Sequence, residues 1–70
     1  MIIFYIELWN LENDHPYLAI NEVGEVLKFD ETQIEEATLK AQEIVWELNN
    51  FGEWMYFVTT HPSQFAVPLK

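Results

Sequence analysis

The chain has 70 residues, of which half are hydrophobic and 16% are aromatic, and it contains no cysteine. A chain of this length forms one domain (residues 1–70), and neither a disulfide nor a thiolate metal site can stabilise it. Twelve acidic residues against three lysines give a net charge of −9. This charge disfavours direct contact with nucleic acid or an anionic membrane, because both are negative themselves.

The first part of the chain predicts a strand and a hairpin. Residues 2–9 alternate in the manner of a half-buried strand. One face carries Ile2, Phe4, Ile6 and Leu8, and the other carries Ile3, Tyr5, Glu7 and Trp9. After a polar loop at residues 10–16, we expect strands at 17–20 and 25–29. They are joined by a turn in which Gly24 is available for positive φ.

A helix follows, and its beginning and end both carry recognisable signals. Thr32 and Glu35 have the spacing of a capping box, and Glu36 and Lys40 have that of a favourable ion pair. Asn49, Asn50 and Gly52 are typical of a helix end. Apolar residues recur at helical spacing and define one core-facing stripe. They are Ile34, Ala37, Ala41, Ile44, Val45 and Leu48.

The rest of the chain predicts a strand at 53–60 and a segment that contains Pro62 and Pro68. Within that segment Phe65, Val67 and Leu69 alternate, which indicates either a short edge strand or an ordered tail. The expected fold is therefore α+β with element order β-β-β-α-β(-β). One amphipathic helix covers one face of an antiparallel sheet of four or five strands, and the other face is left bare.

No catalytic or cofactor motif is recognisable. His15 and His61 each precede a proline in predicted loops, and the proximity of Ser63 to His61 does not make a catalytic triad. Glu12, Asp14 and His15 lack the spacing of a specific metal site. We therefore expect neither an enzyme nor a bound cofactor. The alternative, a small enzyme or ligand carrier, would need a pocket that holds a histidine or a carboxylate.

Two apolar surfaces are not needed by this fold. Leu39 and Trp46 lie almost opposite the core stripe, among acidic residues, as in a binding hot spot with a polar rim. Alternatively, Trp46 folds over the helix edge or meets the C-terminal tail. The second surface is the sheet face away from the helix, where Tyr5 and Trp9 would be joined by Tyr17 and by one aromatic set from the last strand. It would suit a dimer interface.

The layout of residues 25–70 also resembles a family of small acidic bacteriophage proteins that inhibit host machinery. The residues that carry the likeness are Glu31-Thr32 after a strand, Glu36-Ala37 in the helix, Gly52 before an aromatic strand, and Pro68 in the tail. The resemblance implies a protein that works by occupying a surface of its target. Inhibitors of this kind that act on RNA polymerase use arginines in their last strand. This chain has none, so that target is not implied.

We therefore expect a protein-binding module, a phage-like inhibitor or modulator, that occupies a basic surface of a host protein in the cytoplasm. Its helix carboxylates would imitate nucleic-acid phosphates or pair with Lys and Arg. The alternative is a homodimeric accessory protein whose acidity serves solubility. The expected partner-binding residues are Leu39, Trp46, Glu35, Glu36, Glu43, Glu47, Tyr5 and Trp9.

Overall fold

A computed structural model describes residues 1–49 and 53–69, which form one helix packed on a five-stranded sheet. The elements are β1 (Ile3–Asn10), β2 (His15–Leu18), β3 (Phe29–Asp30), α1 (Ile34–Leu48), β4 (Trp54–Thr59) and β5 (Val67–Pro68). This confirms the predicted α+β class and the element order. The sheet is mixed rather than wholly antiparallel, because β5 pairs parallel with β2. Within the described ranges, no helix has the length and apolarity needed to cross a membrane.

β1 is the central strand. It pairs antiparallel with β2 through residues 7–10, with β3 through residues 3–4 and with β4 through residues 5–10. β2 and β4 share residues 7–10, so they lie on its opposite edges. The alternation predicted for this strand is confirmed, since Ile6 and Leu8 are buried and Phe4 packs against the same core. Ile2 was wrongly assigned to the core face, because pairing begins only at Ile3 and leaves Ile2 exposed.

β2 begins at His15, two residues earlier than predicted, and includes Pro16. Pro16 lies opposite Trp9. On this edge the Ala19 N–H donates to the Ile6 carbonyl at 3.0 Å, so the even-numbered residues of β1 form the hydrogen bonds. Pro16 therefore occupies a position that needs no backbone donor toward β1, which is where a sheet tolerates proline.

The predicted hairpin is reduced to a tight turn with a single bridge, between Ile20 and Val26. Gly24 has a φ of +89° in this turn, as its position predicts. Asn21 closes the turn, because its side-chain oxygen accepts hydrogen bonds from the backbone N–H groups of Val23 and Glu25. The chain then leaves β2. Of the residues that follow, only Phe29 and Asp30, just before the helix, form a strand, β3, which pairs with β1. The third strand predicted at 25–29 was therefore wrong over most of its length.

The helix begins with a 3₁₀ turn at Glu31–Gln33, capped by Asp30. The Asp30 carboxylate accepts the Thr32 N–H at 2.8 Å, and the Gln33 side-chain oxygen accepts the Asp30 N–H at 3.1 Å. The capping box therefore lies two residues before the predicted Thr32–Glu35 box, because the Thr32 hydroxyl itself donates to Asp30. This hydrogen bond and that from the Thr32 backbone lower the pKa of Asp30 below its ordinary 3.8.

Alanines bring α1 close to the sheet. Ala37 and Ala41 are fully buried at the centre of the predicted stripe, and the small size of their side chains permits this close approach. Ile44, Val45 and Leu48 pack around the same core. Ile34, in the first turn, is still 42% exposed, so the buried stripe is shorter than predicted.

The ion pair expected between Glu36 and Lys40 is not formed. The Glu36 carboxylate instead accepts a hydrogen bond from the Gln33 side chain at 3.1 Å, and the Lys40 ammonium lies 3.9 Å from the Glu43 carboxylate. The helix ends at Leu48 with Asn49 as its C-terminal cap. Asn50 and Gly52, which we also expected at the helix end, lie outside the described residues.

Candidate protein-binding surface

The outer side of α1 carries two large apolar side chains. Leu39 and Trp46 are each 61% exposed. Seven residues of helix place them on nearly the same side, about 10 Å apart along the axis. If the Trp46 ring folded over the helix edge or packed on the C-terminal tail, its exposed fraction would be much smaller, so this alternative is disfavoured. We call Leu39 and Trp46, together with Glu35, Gln42 and Glu43 around them, the outer stripe.

The four helix carboxylates expected in partner binding are all exposed. Glu35 and Glu43 stand one turn before and one turn after Leu39, within the outer stripe. Glu36 and Glu47 lie further round the helix, toward the side of Lys40. The Lys40–Glu43 contact, between exposed side chains at 3.9 Å, is the one ion pair among the described residues. Most of the negative charge on this helix is therefore uncompensated.

The outer stripe adjoins β4. Gln42, three residues after Leu39 and four before Trp46, donates a hydrogen bond from Nε2 to the Tyr56 hydroxyl at 3.2 Å. Lys40 lies on the opposite flank, where it lines a shallow cleft with Ile20 and Leu27 next to β2. Glu35, Gln42 and Trp46 thus lie on the flank of the helix toward β4, whereas Glu43, in contact with Lys40, lies on the other flank.

β4 is an edge strand. The Leu11 N–H donates to the Glu53 carbonyl at 2.9 Å, so residues 53, 55, 57 and 59 bond to β1. The alternate residues then direct their N–H and C=O groups away from the sheet. The Trp54 N–H on that side donates to the Asn49 side chain at 2.9 Å. At Tyr56 and Val58 no partner strand is present among residues 1–49 and 53–69.

The far face of the sheet lies on the opposite side from α1, so the structure does not bring Tyr5 and Trp9 together with the outer stripe. Glu7 lies between Tyr5 and Trp9 on this face, and it is 7% exposed. Its carboxylate accepts the Ser63 N–H at 2.8 Å, where the chain crosses this face between β4 and β5. The hydrogen bond between Glu7 and Ser63 was not predicted from the sequence. The available signal was a lone glutamate among outward-facing aromatic residues.

The crossing segment separates two open clefts. One, of about 950 Å³, is lined by Tyr5 with Lys28 and His61 among others. The other, of about 560 Å³, is lined by Trp9, Leu11, Met55 and Phe57 together with Glu7 and Asp14. The far face is therefore partly covered by the chain itself, rather than bare as expected.

Tyr17 does not join the far face, contrary to the prediction. It lies opposite Leu8, a core residue, and therefore points to the helix side. There its ring centroid is 5.6 Å from that of Trp54 and 4.9 Å from that of His15. β4 contributes Met55 and Phe57 to the far face, and they remain 42% and 45% exposed.

His61 and Ser63, which were considered as a catalytic pair, form hydrogen bonds to different partners. His61 Nδ1 lies 2.8 Å from the Thr60 hydroxyl, and the Ser63 hydroxyl accepts the Phe65 N–H at 3.2 Å. In the part of the chain that the structure describes, no three His, Asp or Glu side chains are grouped so that they could hold a metal ion. Comparison with family models, with curated proteins and with solved structures finds no match to the chain.

Proposed function

We propose that the protein is a small acidic module that binds a basic surface of another protein through the outer stripe of α1. The observation that carries the proposal is the equal, large exposure of Leu39 and Trp46 among helix carboxylates. A tryptophan and a leucine that a partner can desolvate, with a polar rim around them, have the composition of a binding hot spot.

The two components of this surface have different roles. Burial of Leu39 and Trp46 would supply affinity, because the hydrophobic effect scales with the apolar area removed from water. The carboxylates would attract a basic partner from a distance and reject acidic ones. Glu43 and Glu47 stand one turn apart, about 6 Å along the axis. Two carboxylates at this spacing would imitate neighbouring phosphates, so a basic site that ordinarily holds nucleic acid is a suitable target.

A module that covers such a surface would inhibit or modulate whatever normally binds there. This mode of action is the one implied by the resemblance to phage-encoded inhibitors, and it requires no catalysis. We expect the partner in the cytoplasm of the cell in which the protein acts.

The test is a comparison of two matched pairs of variants. Trp46→Ala is compared with Phe65→Ala, since both remove a highly exposed aromatic ring, at 61% and 66% exposure. Glu43→Gln is compared with Glu22→Gln in the turn, since each removes one exposed carboxylate from the same net charge. The wild-type protein, immobilised, is used to capture and identify its partner, and affinities of all variants are then measured with that purified partner.

We expect Trp46→Ala to weaken binding by about tenfold or more, the loss typical of a hot-spot residue, while Phe65→Ala leaves it unchanged. Raising the salt from about 0.05 M to 0.5 M should weaken wild-type binding sharply, because screening shortens the range of charge attraction. Glu43→Gln should flatten that dependence, and Glu22→Gln should not. Equal effects within each pair, or affinity that does not respond to salt, would contradict the proposal.

A second candidate, self-association, is favoured by a different observation. Met55 and Phe57 are exposed beside Trp9 on the far face, where two sheets could pack against each other. Analytical ultracentrifugation would then show a dimer that Trp9→Glu or Phe57→Glu splits. A protein that stays monomeric at millimolar concentration removes this candidate.

A further inference from the structure

The free edge of β4 lacks the features that normally protect an edge strand. Such strands are usually short, charged, bulged or interrupted by proline, because their unpaired backbone groups can pair with another chain. β4 has six residues, Trp54–Thr59, without a charge, a proline or a glycine. By contrast β5, which pairs with β2 through its two residues, is short and contains Pro68.

This edge lies beside α1, next to the flank of the outer stripe that carries Gln42. Tyr56 offers its backbone N–H and C=O on the free edge and its hydroxyl to Gln42 of the stripe. Val58, two residues on, offers the same backbone groups. An added strand would run about 4.8 Å from β4. Its residues would alternate between the α1 side, near Gln42 and Trp46, and the far side, next to Met55 and Phe57.

We infer that the partner contributes an extended segment, alternating basic and apolar residues, that adds to this edge as an antiparallel strand. The inference rests on the proposed function and specifies the partner's conformation and chemistry. Lysines or arginines on the α1 side would approach Glu35, which lies on the same flank of the helix as Gln42. Apolar residues on the other side would extend the apolar patch of Met55 and Phe57. Main-chain hydrogen bonds would join the segment to Tyr56 and Val58, as in other cases of strand addition.

Charge favours such a segment over a second copy of this chain. Each copy carries −9, and its own β4 follows the exposed Glu53 and packs beside the acidic helix α1. Pairing two β4 edges would set two acidic helices side by side, and the one helix lysine, Lys40, lies on the opposite flank. A basic segment converts the same carboxylates from a source of repulsion into a source of attraction.

The probe is a synthetic eight-residue peptide that alternates lysine and valine. Two isomers test whether its backbone N–H groups donate hydrogen bonds to β4. One is N-methylated at the lysines and the other at the valines. Both keep the charge and the side chains of the parent peptide. In antiparallel addition with lysines toward α1, the lysine amides pair with β4 and the valine amides face solvent. Affinity is measured by titration, and amide exchange of the full-length protein is followed by NMR.

We expect the parent peptide and the valine-methylated isomer to bind alike and to protect the amides of Tyr56 and Val58 from exchange. The lysine-methylated isomer should bind at least about tenfold more weakly, since two or more hydrogen bonds are lost. Equal binding of the two isomers, or loss confined to the valine-methylated one, would overturn the inference. So would protection of Tyr56 and Val58 in the free protein that grows with its concentration, because a second copy would then occupy the edge.

Failure of this inference can be distinguished from failure of the proposed function. If the purified partner responds to Trp46→Ala and Glu43→Gln but leaves the amides of Tyr56 and Val58 unprotected, the outer stripe binds without strand addition. If those two variants have no effect on the partner, the proposed function itself fails, whatever the peptides do.

Discussion

The same substitution at two leucines tests whether the outer stripe is a free surface. Leu8 is 0% exposed at the centre of the core, whereas Leu39 is 61% exposed on α1. Leu8→Ala should remove most of the stability of the fold, and Leu39→Ala should leave it nearly unchanged. The chemical change is identical, so the difference mainly measures burial.

The expected magnitudes follow from these exposures. Truncating a fully buried leucine costs about 2–5 kcal/mol, including the cavity that remains. The whole free energy of unfolding of a chain this small is only on the order of 4–10 kcal/mol. At Leu39 less than half of the side chain leaves water on folding, and leucine and alanine have similar helix propensities. Its replacement should therefore cost less than about 1 kcal/mol.

Urea unfolding followed by circular dichroism measures both variants. With a slope of about 1 kcal/mol per molar urea, Leu8→Ala should lower the midpoint by about 2 M or more and Leu39→Ala by less than about 1 M. An equal loss in the two variants would refute the reasoning, because Leu39 would then be covered in the native state. Repeating the experiment at a tenfold higher protein concentration shows whether a second copy provides that cover.

Three further predictions concern the anchors of the fold. Glu7→Ala should cost about 1–3 kcal/mol, because it leaves the Ser63 N–H without its acceptor. It should also increase proteolysis in the crossing segment, whereas Glu7→Gln keeps an acceptor and should lose less; equal losses would contradict the role of this bond. Gly24→Ala should cost about 1 kcal/mol, from the strain of positive φ rather than from a clash. Gly24→Asn should recover part of that loss in thermal unfolding, and no loss in either variant would contradict the strained turn. Asp30 has a lowered pKa in the fold, so its stabilising contribution is complete above its unfolded pKa of about 3.8 and disappears as pH falls through the lower folded value. Melting temperatures measured from pH 5 to pH 2 should therefore decline less steeply for Asp30→Asn than for the wild type, and parallel curves would contradict this assignment.

The caps and turns show where local sequence signals compete. Thr32 and Asp30 are both good capping residues two positions apart, and their patterns alone do not rank them. Pairing of Phe29 and Asp30 with β1 decides between them, because Asp30 then stands at the point where the chain leaves the sheet. The third strand predicted at 25–29 was wrong over most of its length for a related reason: a suitable composition does not by itself supply a strand to pair with.

What the sequence determined by itself is periodic and local. The period of two placed Ile6 and Leu8 in the core, and the helical period placed Ala41 inside and Leu39 and Trp46 outside. These assignments needed no partner, because side-chain direction repeats regularly along a strand or a helix.

Only the tertiary structure decided which distant segments meet. It placed Tyr17 on the helix side, joined Glu7 to Ser63 and Gln42 to Tyr56, and left one edge of β4 without a neighbour among the described residues. Each of these depends on which strands pair and in what register. That choice is made by the packing of the whole chain, since any strand's backbone groups can bond to any other's.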